Sequence, residues 1–143
     1  MKPKDKGALG ELRVAAKLIE LGYPVFKEIA NNSKVDLIIL VGNKPVKIQV
    51  KTTTSIENEI AILPTRKCTL NKKYNYKYNE EDVDIFILWV EDKEDLLIVS
   101  SKEATKLASL KFRYSKTSRK GGYNIRYASE YRDIEKTING VIA

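Results

Sequence analysis

Apolar and polar residues are spaced along the chain so that it divides into an opening helix, a run of strands and a closing helix. Over residues 5–22 the apolar positions recur three and four apart, the period of a helix with a buried face, and the run stops at Gly22 with Pro24 just beyond. "PVFKE" then predicts a short strand, "NNSK" a turn, and "VDLIILV" a buried strand. "GNKP" turns the chain into "PVKIQVKTTT", residues 45–54, where Val46, Ile48 and Val50 alternate with Lys47, Gln49 and Lys51. Strand side chains point alternately to opposite faces, so one face of this segment is oily and the other carries two ammonium groups around an amide. "EIAILP", "DVDIFILWVE" and "DLLIVS" predict further strands, the last two around an acidic turn. A helix is expected near residues 101–110 and another near 129–138. The order of elements gives an α/β or α+β class with a mixed sheet.

The first helix carries an anomaly. At 100° per residue with Glu11 at zero, Ala8, Leu12, Val14, Ala15, Leu18, Ile19 and Leu21 fall within about 100° of it, and Arg13, Lys17 and Glu20 cluster opposite. A carboxylate turned toward the core costs several kcal/mol unless something positive partners it, so a cation or a metal belongs across from Glu11. A buried pair with one lysine meets the same requirement.

With 143 residues the chain fits one domain, expected to span 1–143. No apolar run approaches the roughly 20 residues of a membrane-spanning helix, and "MKPKDKGALG" lacks an apolar signal core, so the expectation is a cytoplasmic protein with no membrane partner. The lone Cys68 cannot form an internal disulfide, and the absence of histidine excludes a His-dependent metal site or catalytic triad. The formal charge of +7 is unevenly placed: residues 66–79 hold five bases and residues 111–127 hold six, with no acid in either, which leaves 15 bases and 19 acids elsewhere. The positive field therefore belongs to two segments on a molecule otherwise net negative. Six of the eight tyrosines (Tyr74, Tyr76, Tyr78, Tyr114, Tyr123, Tyr127) lie in them. Bases suit phosphates, and interleaved tyrosines can stack on sugars or bases, although two solvated loops with strand-packed tyrosines would give the same composition.

Asp36 opens the strand "VDLIILV", where alone it reads equally as a turn acid. The turn through Gly42 and Asn43 sends the next strand back antiparallel, which brings Gln49–Lys51 beside Asp36. One face could then collect Asp36, Gln49 and Lys51, with Glu11 packed over that sheet. This is an arrangement suited to metal-dependent phosphodiester chemistry.

"GALGE" on the first helix, "VD" at residues 35 and 36, and "QVK" at 49–51 together resemble the PD-(D/E)XK nuclease superfamily. The resemblance covers roughly residues 7–54 by motif. By length, by the opening "GALGELRVAAKLIELGYPVF" and by the two basic segments, the chain looks closest to the small bacterial group I intron homing endonucleases. Val35 stands where the pattern has proline, and Gln49 where it has a second acid; an amide oxygen coordinates Mg²⁺ more weakly than a carboxylate. The resemblance implies a restriction-endonuclease-like mixed central sheet flanked by helices. It also implies a Mg²⁺-dependent, site-specific double-strand DNA endonuclease of the homing type.

In that reading Glu11, Asp36, Gln49 and Lys51 are the catalytic residues, and Glu11, Asp36, Gln49 and the Val50 carbonyl hold the metal. Lys51 orients the attacking water and offsets charge on the phosphate. DNA binding is expected from Lys47; from Arg66, Lys67, Lys72, Lys73, Tyr74, Tyr76 and Lys77; and from Arg113, Lys116, Arg119, Lys120, Tyr123 and Arg126. The expected partners are double-stranded DNA and further copies of the chain, a dimer at least with a tetramer favoured. The competing readings are a Holliday-junction resolvase or restriction-like nuclease, and a non-catalytic DNA-binding module with a decayed nuclease site.

Overall fold

The computed structural model describes residues 1–54, 56–68, 75–115 and 125–143, and for residues 67, 68, 75 and 76 the backbone alone. Helix α1 (Pro3–Glu20) starts on a proline, which sits where no backbone donor is needed. It ends with Gly22 in the left-handed region at φ 92, where the Gly22 N–H donates to the Ile19 carbonyl and the Tyr23 N–H to that of Leu18. Strand β1 (Val25–Lys27) follows and pairs antiparallel with β2 (Leu37–Val41). Gly42 at φ 63 turns β2 into the ten-residue β3 (Lys44–Thr53). In that hairpin Leu37 lies opposite Ile48. On its other edge β3 pairs in parallel with β7 (Ile85–Val90), and β8 (Asp95–Ser100) completes a five-stranded mixed sheet in the order β1-β2-β3-β7-β8.

All six residues of β7 are buried because both faces of this sheet are covered. On one face Val14 and Leu18 of α1, with Ile134 and Ile138 of α3 (Ile134–Ile142), close over Ile39, Ile48, Val50, Ile85, Ile87 and Ile98. On the other face Phe86, Leu88, Val90, Leu97 and Val99 meet Ala61 and Leu63 of β4 (Ile60–Pro64) and Leu110 and Phe112 of β9 (Ser109–Arg113). Strands β4 and β9, with β10 (Ile125–Tyr127), form a second, three-stranded sheet. A two-stranded ribbon, β5 (Arg66–Cys68) with β6 (Asn75–Lys77), extends from it. The result is a helix layer, a mixed central sheet and a small outer sheet, the mixed α+β architecture expected from the sequence. No helix among the described residues is long and apolar enough to cross a membrane.

Several expectations need correction. The helix expected at 101–110 survives only as the single turn α2 (Ser101–Ala104), capped by the Ser100 hydroxyl accepting from the Glu103 N–H. The residues after it turn into β9, with Leu110 and Phe112 inward. The C-terminal helix begins at Ile134, later than expected, behind a 3-10 turn at Ala128–Tyr131 and an N-cap in which Asp133 accepts from the Lys136 N–H. The apolar arc of α1 is not one buried face: Gly10, Val14 and Leu18 are buried, whereas Leu12 and Ile19 are 64% and 62% exposed. Glu11 lies between the two, at the rim of the buried stripe.

Candidate active site

Sheet geometry fixes the first part of the site. Strand β2 begins only at Leu37, opposite Ile48, so Val50 lies beyond the end of the paired hairpin. Asp36 covers the gap: its own N–H donates to the Ile48 carbonyl at 2.9 Å, and its Oδ2 accepts from the Val50 N–H at 2.8 Å. The carboxylate is thereby held against the strand that carries Gln49 and Lys51. Gln49 is 7% exposed, and its Nε2 donates to the Val50 carbonyl at 3.3 Å, a long bond that leaves the second lone pair of that oxygen for another partner.

Helix α1 supplies the opposite wall. An added Cβ on Gly10 would lie 2.0 Å from the Thr52 Oγ1, so the glycine in "GALGE" is what lets the helix reach β3. The close approach brings the next residue, Glu11, to the cleft. Its side chain is 18% exposed, and Oε1 is buried without a hydrogen bond, with the Lys27 Nζ at 3.7 Å. Lys27 on β1 is thus the positive group required across from Glu11, beyond hydrogen-bond distance and itself half exposed. Glu11, Asp36, Gln49, Val50 and Lys51 line one cleft of about 500 Å³, together with Pro3, Lys6, Gly7, Thr52 and Thr54. Lys6, Lys27 and Thr52 were missed in the sequence because their role depends on which face of α1 meets β3.

The expected metal ligands therefore converge. Among the described residues no group of three or more His, Cys, Asp or Glu side chains is placed to hold a metal ion. Glutamine at position 49 accounts for this: two carboxylates, an amide and a backbone carbonyl form an all-oxygen donor set of the kind a hard divalent cation takes. The buried Glu11 Oε1 without a hydrogen bond is an acceptor such a cation would satisfy, so the residues fit a hard divalent metal ion.

Lys51 is held from its other side. Its Nζ lies over the ring of Tyr78, 5.1 Å from the centroid. Tyr78 is 1% exposed and meets Phe86 edge-on at 5.4 Å, so this tyrosine of the first basic segment belongs to the core and not to a base-stacking surface. Tyr114 is likewise committed: its hydroxyl donates to Asp95 at 3.0 Å, and burial, reinforced by that carboxylate, pushes its pKa upward.

The expected DNA-binding residues are spread over several elements. Arg66 and Lys77 face each other across the β5–β6 ribbon and are exposed; Lys67 and Tyr76 form its next pair in the backbone. Lys72, Lys73 and Tyr74, and Lys116, Arg119, Lys120 and Tyr123, lie outside the described residues. Arg113 sits on β9 with its side chain on the outer face of the small sheet, opposite to Phe112. Arg126, which pairs with Phe112, turns the other way, with its Nε 4.0 Å from Glu103. Lys47 shares the strand face of Gln49 and Lys51 but does not line the cleft; its Nζ donates to the Glu81 carbonyl at 2.8 Å.

The sequence model of the PD-(D/E)XK endonucleases matches residues 1–134. The chain belongs to the PD-(D/E)XK endonuclease family. This family member is also similar to Protein 5.3 of Escherichia phage T7, with 32% identity over 97 residues that make up 68% of this chain and 79% of the phage protein. Its fold matches that of the bacterial homing endonuclease I-Ssp6803I with a TM-score of 0.80 at 19% identity, over 99% of this chain and 97% of the other. The PD-(D/E)XK chain is accordingly a nuclease of restriction-endonuclease-like fold, and its candidate site falls where "GALGE", "VD" and "QVK" meet.

Proposed function

We propose that the protein is a Mg²⁺-dependent, site-specific double-strand DNA endonuclease of the homing type, built as one nuclease domain over residues 1–143. The observation that carries this reading is the convergence of Glu11, Asp36, Gln49, Val50 and Lys51 on one cleft in a chain of this family. The fold shared with a bacterial homing endonuclease supports the homing assignment. Asp36 is the principal ligand, already oriented by the Val50 N–H, with Gln49, the Val50 carbonyl and Glu11 completing the protein side. Bound there, Mg²⁺ would supply positive charge at the scissile phosphate and lower the pKa of water.

The chain's own residues do the remaining work. Lys51 lines the same cleft as the two carboxylates, where its ammonium orients the attacking water and offsets charge that builds on the phosphate. Glu11 fixes the cleft's negative wall, and Lys6 lines the same cleft where the DNA backbone would pass. Arg66, Lys67, Tyr76, Lys77 and Arg113, with the bases of segments 66–79 and 111–127, hold phosphates along the duplex. One site cuts one strand and the two strands run antiparallel, so a double-strand break is made by at least two copies about a two-fold axis, and a tetramer suits a long target.

The test is incubation of the protein with a long duplex library and with a synthetic four-way junction, with Mg²⁺ or with EDTA. Mapped, paired cuts in the duplex only with Mg²⁺ are the expected result. Cuts confined to the junction would make the protein a resolvase. Binding without any cleavage would make it a DNA-binding module with a decayed site, for which the glutamine at position 49 is the motivating residue.

A further inference from the structure

The ribbon β5–β6 and the cleft are joined by one residue. Tyr78 directly follows β6, and its N–H donates to the Thr65 carbonyl at 3.0 Å, so it forms the last backbone rung at the base of the ribbon. That base is firmly anchored. Thr65 is fully buried, its hydroxyl donates to the Leu107 carbonyl at 2.6 Å, and its N–H to that of Ala108 at 3.1 Å. The Tyr78 ring stands at 90° to Phe86, which pairs in the central sheet with Gln49. The backbone rung to Thr65 and the ring contact with Phe86 thus hold Tyr78 in place, and the ring face carries the Lys51 ammonium at 5.1 Å.

A lysine has a flexible four-carbon stem with many rotamers, whereas a reacting group must be held within about 0.5 Å of its working position. The face of an aromatic ring attracts an ammonium and so restricts where that stem can place its charge. We propose that Tyr78 is the positioning residue of Lys51, and that through it the basic β5–β6 ribbon is rigidly tied to the cleavage site. The proposal rests on the nuclease reading and adds a role for a residue that never touches DNA. It also explains why a tyrosine from a basic, tyrosine-rich segment is buried: the ribbon that grips phosphate and the lysine that acts on one share a single anchor.

The experiment uses the full chain in three forms: native, Tyr78→Phe and Tyr78→Leu. The first readout needs no activity. In NMR of lysine-labelled protein, with Lys51→Arg used for assignment, the Lys51 ε-methylene resonances should be shifted upfield by the ring in the native and phenylalanine forms and should return to the ordinary lysine position in the leucine form. The second is single-turnover cleavage at saturating DNA: a loss of about tenfold in Tyr78→Leu, near-native rates in Tyr78→Phe, and DNA affinity unchanged in both. Unshifted Lys51 resonances in the native protein would overturn the proposal, whether or not the leucine variant folds. Native cleavage rates in a folded Tyr78→Leu would overturn it equally. A native protein that shows the shifted resonances but cuts no substrate would instead sink the nuclease reading.

Discussion

Replacing Gly10 by alanine would put a methyl where Thr52 already is. The new Cβ would lie 2.0 Å from the Thr52 Oγ1, 3.3 Å from its Cβ and 3.6 Å from its Cγ2. The first of these separations is impossible without movement, and threonine, branched at Cβ, has few alternative rotamers. Overpacking of this kind costs about 1–3 kcal/mol, against which alanine returns about 1 kcal/mol of helix propensity in the middle of α1. The net loss of up to about 2 kcal/mol corresponds to a fall of up to roughly 6 °C in melting temperature for a chain of this length. The sign should reverse when the obstructing oxygen is removed. In a Thr52→Ala background the nearest remaining atom of that side chain is the Cβ at 3.3 Å, tight but tolerable, so adding Gly10→Ala should stabilise by up to about 1 kcal/mol. Thermal melts of the four proteins in the double-mutant cycle measure this. Cleavage should follow: if α1 moves out by an ångström, Glu11 shifts in the cleft that it lines together with Asp36, and errors of that size cost up to about a hundredfold in rate. A higher melting temperature for Gly10→Ala in the native background, or no reversal in the Thr52→Ala background, would refute the close-approach argument.

Four further outcomes are expected. Asp36→Asn and Lys51→Ala should each abolish cleavage while melting temperature and DNA affinity stay close to native; persistent cutting by either would remove the proposed site. Glu11→Gln should reduce cleavage strongly and leave the melting temperature in metal-free buffer equal or higher, because Lys27 is half exposed and can be hydrated alone; a drop of several degrees would make Glu11–Lys27 a structural pair. DNA affinity should fall steeply with salt, and neutralising Lys72 with Lys73, or Arg119 with Lys120, should flatten the plot of log affinity against log salt by about 1.8; slopes unchanged in both pairs would mean that DNA lies on another surface. Burial works to raise the Asp82 carboxyl, but the Asn79 N–H and the Lys34 ammonium outweigh it and hold the pKa below the ordinary value. Its contribution to stability is then present above the usual aspartate pKa of about 3.9 and lost as pH falls through the lower folded value, so native and Asp82→Asn melting curves should converge in acid.

The sequence revealed those parts of the molecule whose signal is local. The sheet-forming segments "VDLIILV", "DVDIFILWVE" and "DLLIVS" appear as β2, β7 and β8, and the turn at Gly42 sets the register that brings Asp36 to Val50. What failed was the choice between periods. "LKFR" after α2 alternates, with Leu110 and Phe112 buried, yet the lysines and alanines before it, good helix formers, favoured a longer helix until the tertiary partner β4 decided the matter. The wide apolar arc of α1 contained two stripes, and nothing in the chain itself indicates which one the sheet will cover. Tyr78 and Lys27 escaped for a related reason: each acts through a residue distant in sequence, Lys51 and Glu11, and such pairings become visible only once the layers are assembled.

Asp36 has two separate obligations. Where β2 stops short of Val50, its carboxylate takes the strand N–H that a neighbouring backbone would otherwise have accepted, and an orphaned buried amide costs about 1–3 kcal/mol. A chain of this kind that lost its chemistry would still be held to an acceptor at that position by folding alone. An acceptor at position 36 is therefore, by itself, no mark of a working nuclease.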